Sequence, residues 1–217
     1  PFLFVVVGEV KAGKSSLIKT IITLLRPSAG RVRVFGLDPQ RSAAEVKRRI
    51  GVVPQENNLD SFLSARHNLL FHCRYAGIPM HVAKQRTESW LSLLTIDDRA
   101  NESVLHLSGG TRRKIMLTKA FITLPDLIVL DEPSAGLDPE VRDILWTQVR
   151  AFRDQGGTVL LSTHYIEEAE TLCDRIGILH QGRLVSLLAP KEGAGLVAGE
   201  TASAFRRIVG TCSGYEK

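Results

Sequence analysis

The feature that most constrains this chain lies close to its start. Gly8-Glu9-Val10-Lys11-Ala12-Gly13-Lys14-Ser15 fits the spacing G-x-x-x-x-G-K-[ST], which arises by chance in about 1% of chains of this length. The run follows an apolar stretch, Phe2–Val7, and opens a helical pattern, Ser15–Leu25. A strand that feeds a glycine-bearing loop and then a helix aims the loop's backbone N–H groups and the positive end of the helix dipole at one point. Such a loop, here Gly8 through Ser15 with Ser16 behind it, cradles nucleotide phosphates. Lys14 would place its ammonium on the β- and γ-phosphates, and Ser15 would give its hydroxyl to Mg²⁺. A surface Gly-Lys turn is the bland alternative, and the flanking strand and helix leave it little room.

The rest of the chain has the grain of an α/β protein. Apolar strand-like runs are expected at Arg31–Phe35, Ile50–Val53, Leu127–Leu130, Thr158–Ser162, Arg175–Leu179 and Arg183–Leu187. Helical stretches fall between them, including Pro139–Gln155 with its proline at the start. This alternation predicts a mainly parallel sheet flanked by helices on both faces. Residues 63–105 differ, with helical periodicity and few β-branched residues. Together with a helix running from Gly110 to about Thr123 they predict an all-helical subdomain, about 63–123, inserted in an α/β core that spans 1–190. Residues 191–217 turn Gly- and Ala-rich and read as a loosely structured tail. The chain begins at Pro1 on what is already a core strand, so we expect N-terminal strands to be missing upstream.

Composition narrows the partners. The net charge of +5 comes from scattered Lys and Arg, with aromatic residues only 6% of the chain, so direct nucleic-acid binding is not expected. No apolar stretch reaches the roughly 20 residues that span a bilayer, and Phe2–Val7 is too short for a secretory signal. Cys73, Cys173 and Cys212 are odd in number and widely spaced. They suit a reducing compartment and read as small buried apolar residues.

Two further runs carry chemistry. Asp131 ends the apolar strand Leu127–Leu130, where a charge is out of keeping unless it meets a metal or a hydrogen bond. At the carboxyl end of a parallel strand it would face the ligand crevice and join the Mg²⁺ shell through a water. Glu132 beside it suits a base that polarises an attacking water; a helix-capping Asp-Glu-Pro turn is the alternative, and taken alone the two weigh evenly. Leu107-Ser108-Gly109-Gly110 sets a hydroxyl and two glycines ahead of another helix. By itself that is an ordinary N-cap or a second helix terminus open to an anion.

In combination these runs resemble the nucleotide-binding domain of ATP-binding cassette (ABC) transporters, a P-loop NTPase fold, over about Phe2 to Pro190. Leu107, Ser108, Gly109 and Gly110 match the family's signature. Gln55, within Val52-Val53-Pro54-Gln55, looks like the Q-loop glutamine that senses Mg²⁺ and faces the membrane partner. Ser134-Ala135-Gly136-Leu137-Asp138 is similar to the D-loop. His164, after Leu161-Ser162-Thr163, looks like the switch histidine at the γ-phosphate. The resemblance implies an ATPase with ATP and Mg²⁺ as cofactors: Glu132, His164 and Gln55 catalytic, and Ser15, Gln55 and Asp131 around the metal.

It also implies a head-to-tail pair of such domains, homodimer or heterodimer, in which each signature meets the ATP held by the other copy. A transmembrane permease subunit would dock on the helical insertion, placing this chain peripherally on the cytoplasmic face of the cell membrane. Asn57-Asn58-Leu59-Asp60, Asn68-Leu69-Leu70 and Arg74-Tyr75-Ala76-Gly77-Ile78-Pro79 are similar to drug and lipo-oligosaccharide exporters.

The chain departs from the family in three places. Lys11 stands where Gly is usual, and Thr111 replaces the larger residue that commonly follows the signature. No residue can be matched to the upstream aromatic on which the family stacks adenine, which implies ATP affinity weaker by roughly 2- to 12-fold. Two other readings remain open at this point. One is a soluble ABC-type ATPase acting on nucleic acid or ribosomes, whose usual coiled-coil or zinc insertions are not visible. The other is a truncated cassette that binds ATP and barely hydrolyses it.

Overall fold

A computed structural model of the chain describes residues 2–188. Among these residues six strands, β1 (Leu3–Gly8), β2 (Ile50–Val53), β3 (Leu127–Asp131), β4 (Thr158–Thr163), β5 (Arg175–His180) and β6 (Arg183–Leu188), form one sheet in the order β2-β3-β4-β1-β5-β6. All neighbours are parallel except β5 and β6, whose connection is a two-residue hairpin. The central strands are apolar on both faces because both faces are covered. Ile128 and Leu130 point into one core with Val5, Val159 and Leu161, while Val129 points the other way onto Ile18 and Ile22.

The helices are α1 (Lys14–Ile21), α2 (Ala43–Arg48), α3 (Ala65–Tyr75), α4 (Met80–Leu93), α5 (Gly109–Phe121), α6 (Pro139–Asp154) and α7 (Ile166–Leu172). In α6, Val141, Leu145, Trp146 and Val149 recur on one face and are buried against the sheet. At about 1.5–3 kcal/mol per buried large apolar side chain, that stripe anchors the helix by several kcal/mol. The start of α6 is fixed by Pro139 in the first turn and by the Asp138 carboxylate, which accepts from Val141 N at 2.9 Å. A second apolar cluster joins α3, α4 and α5 through Leu69, Cys73, Ala83, Leu91, Ile115 and Met116. Cys73 and Cys173 are free and buried, as expected; Cys212 and the tail 191–217 lie outside the described residues.

Two local expectations are corrected. Arg31–Phe35 is not a strand: among the described residues Val34 pairs only with Leu37, across a tight turn in which Phe35 and Gly36 both take positive φ. Alternating valines alone do not make a strand without a neighbour to hydrogen-bond. Helix α1 stops at Ile21 rather than Leu25. Thr23 adopts a left-handed conformation, and the N–H groups of Leu24 and Leu25 fold back onto the Lys19 carbonyl. Helix α2 is an element that the apolar pattern of the sequence does not mark, because Val46 is its one buried residue.

Candidate functional site

The phosphate loop leaves β1 at Gly8 and enters α1 at Lys14. A side chain at Gly8 would put its Cβ 2.5 Å from the Leu179 carbonyl oxygen of β5, so only glycine lets the two strands run this close. Gly13 begins the helix at φ 105°, a conformation natural to glycine. The loop is braced from outside by Gly182 N, which donates to the Ala12 carbonyl at 2.9 Å from the β5–β6 turn. Lys11 takes φ 69°, in the left-handed region, which gives the physical reason a glycine would be at ease there. Lys14 is buried to 6% exposure. Its ammonium donates to the carbonyls of Gly8 at 2.8 Å and Glu9 at 2.9 Å.

The carboxylates lie beside this loop. Asp131 is buried and accepts a short hydrogen bond from the Ser162 hydroxyl, which in turn accepts from Glu132 N at 3.2 Å. Glu132 has φ 47°, a left-handed conformation that turns its side chain out of the strand and over the loop. There three of the predicted residues gather around its carboxylate: Lys14 Nζ at 3.9 Å, His164 Nδ1 at 3.4 Å, and Gln55 Nε2 at 3.5 Å. A cavity of about 430 Å³ is lined by Val10, Lys11, Ala12, Gly13, Lys14, Ser15, Ser16, Gln55, Glu132 and His164. Ser15 and Gln55 also border an adjoining space of about 510 Å³, together with Asp131. A hydroxyl, an amide and a carboxylate around one space fit a hydrated Mg²⁺, which takes hard oxygen donors and needs few from protein.

The signature run lies elsewhere. Ser108 caps α5, its hydroxyl accepting from Thr111 N at 3.2 Å and pairing with Thr111 Oγ1 at 2.8 Å. A Cβ on Gly109 or Gly110 would meet nothing within 4 Å, so packing among the described residues does not demand glycine at either. None of Leu107–Gly110 lines the Lys14 cavity; Leu107 is buried in the helical cluster. In the run after Glu132, Ser134 and Leu137 are buried, Ala135 and Gly136 are exposed, and Asp138 caps α6.

Two groups escaped sequence reading. In the sequence Ser162 reads only as the end of a strand and a neighbour of His164, yet it ties Asp131 to Glu132. Arg113 of α5 donates to Pro54 O at 2.8 Å, Glu132 O at 2.9 Å and Pro133 O at 3.2 Å. Burial holds its guanidinium below the usual arginine range, against the opposing pull of Asp131. No spacing rule exposes such a residue, because all three partners are backbone carbonyls.

A parallel sheet with a glycine loop running into a helix, and an acid ending the strand two places across the sheet, defines a P-loop NTPase-type fold. The model of the ABC transporter family matches residues 3–135, and the chain belongs to that family. It is 38% identical over 188 residues to Nod factor export ATP-binding protein I of Burkholderia thailandensis, covering 87% of this chain and 62% of that protein. The protein of the same name from Rhizobium etli is 38% identical over 189 residues, covering 87% and 60%. The chain thus spans about three-fifths of the length of these curated relatives. Among solved structures it is similar to an ATP-binding subunit of an ABC transporter, with a TM-score of 0.83, 27% identity, and coverage of 96% of this chain and 82% of that one. A dimeric ATP-binding cassette in a post-hydrolysis state bound to ADP and Pi shares the fold, with a TM-score of 0.79 and 23% identity over 88% of this chain and 86% of that one. Among the described residues no helix is long and apolar enough to cross a membrane.

Proposed function

We propose that this chain is the ATP-binding and hydrolysing subunit of an ABC transporter of the export type. The observation that carries the reading is the convergence of Lys14, Gln55 and His164 on the Glu132 carboxylate, at the mouth of the phosphate loop. Phosphate oxygens entering the loop would take over the Lys14 ammonium from the Gly8 and Glu9 carbonyls. The loop N–H groups and the start of α1 would add further donors. Glu132 would accept a hydrogen bond from the attacking water, and His164 would donate to the γ-phosphate as charge builds on it. Donors fixed in this way are each worth about 10²–10³ in rate. Mg²⁺, held by Ser15, Asp131 and Gln55, would neutralise charge on the phosphates.

Hydrolysis would need a second copy. Ser108, Gly109 and Gly110 stand away from the Lys14 cavity with open space around the glycines, which suits close approach to a nucleotide held by another domain. A twofold, head-to-tail pair supplies each ATP with one loop and one signature, with the segment Ser134–Asp138 at the seam. Residues 63–123, which include the α3–α5 cluster, would form a helical subdomain that receives a transmembrane permease. That assembly would hold the chain at the cytoplasmic face of a membrane, and the export names of the relatives support the direction. Release of inorganic phosphate from Mg-ATP tests the proposal. Lys14→Met should abolish both nucleotide binding and release, and wild-type turnover in that variant would overturn it.

A further inference from the structure

We propose that Arg113 is a positioning residue for ATP hydrolysis, one that fastens the signature helix to the Gln55 loop and to the Glu132 turn; the inference rests on the ATPase reading above. Its three hydrogen bonds run to two separate loops, Pro54 O beside Gln55 on one side, Glu132 O and Pro133 O on the other. The planar guanidinium fork can satisfy three carbonyls at fixed angles, which a lysine ammonium on a flexible stem does not reproduce.

The bonds are not needed to dock the helix. Helix α5 is already anchored by Ile115, Met116, Leu117, Ala120 and Phe121, all buried. What needs holding is Glu132. Its left-handed backbone is unfavourable for a residue with a side chain and persists only if its surroundings fix it. The N–H is tied to Ser162 O at 3.1 Å and to the Ser162 hydroxyl, and the carbonyl receives Arg113 and Ala135 N. A second cation on the same helix, Lys119, donates to Asn58 O at 3.0 Å, past the other end of the Gln55 loop. Gln55 Nε2 and the Glu132 carboxylate, 3.5 Å apart, therefore sit on two loops with one shared fastening. Arg113 also lies only three residues beyond Gly110, so a load on the signature reaches Glu132 through less than one turn of helix.

The test uses the full chain with Arg113→Met and Arg113→Lys. Steady-state Mg-ATP turnover, binding of the fluorescent analogue TNP-ATP, and amide hydrogen exchange are measured on each. We expect Arg113→Met to bind TNP-ATP within about threefold of wild type while kcat falls by about 10- to 100-fold, as for misplaced catalytic groups. Arg113→Lys should recover part of kcat, and exchange should quicken at residues 55–58 and at Glu132, Ser134 and Ala135 in Arg113→Met. An unchanged kcat, a loss confined to KM, or unchanged exchange at both loops would overturn the proposal. If Arg113→Met fails to fold, the same comparison is made on Arg113→Lys. If the wild type does not hydrolyse ATP, the ATPase reading fails, while the exchange data still decide whether Arg113 holds the two loops.

Discussion

The phosphate loop carries an avoidable strain at Lys11, and removing it gives a prediction that can be worked through. At φ 69° the Lys11 Cβ crowds its own backbone, at a cost of about 1–2 kcal/mol for a residue other than glycine. Glycine there relieves the crowding and gives back about 0.5–1 kcal/mol in unfolded-state entropy relative to alanine. Lys11→Ala removes the charge and keeps the Cβ; Lys11→Gly removes both. The difference between the two variants isolates the backbone term, and it should favour glycine by about 0.5–1 kcal/mol. For a domain of this size that is roughly 1–4 °C in Tm. Thermal unfolding by circular dichroism without nucleotide reads it directly. A Gly variant that melts at or below the Ala variant would refute the left-handed assignment. The ammonium itself borders the Lys14 cavity from an exposed position. Losing it should weaken ATP binding by no more than about fivefold at low salt, and by less at high salt.

Other outcomes follow from single contacts. Gly8→Ala forces a Cβ against the Leu179 carbonyl and should lower stability by about 1–3 kcal/mol in urea titrations; a neutral result would mean that β1 and β5 can part there. Ser162→Ala removes the donor to Asp131 and should cost about 1.5–3 kcal/mol, with ATP turnover falling further than ATP affinity; unchanged unfolding would contradict this. His72 is lowered from 6.5 to about 4 by burial first and the Lys119 charge second. The unfolded chain then takes up a proton that the folded chain refuses, so stability is full above pH 6.5 and is lost as pH falls toward 4. The loss assigned to His72 is about 2 kcal/mol between pH 7 and pH 5. His72→Gln should show a shallower pH dependence by that amount in urea unfolding, and an equal slope would sink the assignment.

The fold was legible wherever local pattern and tertiary role agree. The apolar runs at β1, β3 and β5 are buried almost throughout, so a continuous hydrophobic stretch reads as a strand without ambiguity. Arg31–Phe35 misled because its alternation is real while its hydrogen-bonding partner is absent from the described residues. Helix α2 carries too little apolar surface to announce itself. At the site, Lys14, Ser15, Asp131 and Glu132 stood out because loop and strand ends fix their spacing, whereas His164 and Gln55 were reached only through the family resemblance. That Lys14, Gln55 and His164 surround one carboxylate was not readable, since it depends on the left-handed turn at Glu132. Arg113 was invisible for a related reason: a side chain that binds backbone carbonyls leaves no mark on the sequence of its partners.

The proposed ATPase function turns on Glu132 as the group that polarises the attacking water between paired domains. The most direct measurement is Glu132→Gln in Mg-ATP, followed by phosphate release, nucleotide binding and sedimentation on one preparation. The side chain keeps its shape and loses only its charge, so ATP should bind with wild-type affinity, hydrolysis should fall by at least about 10², and an ATP-dependent dimer should accumulate. A Glu132→Gln protein that releases phosphate at the wild-type rate and stays monomeric would contradict the account.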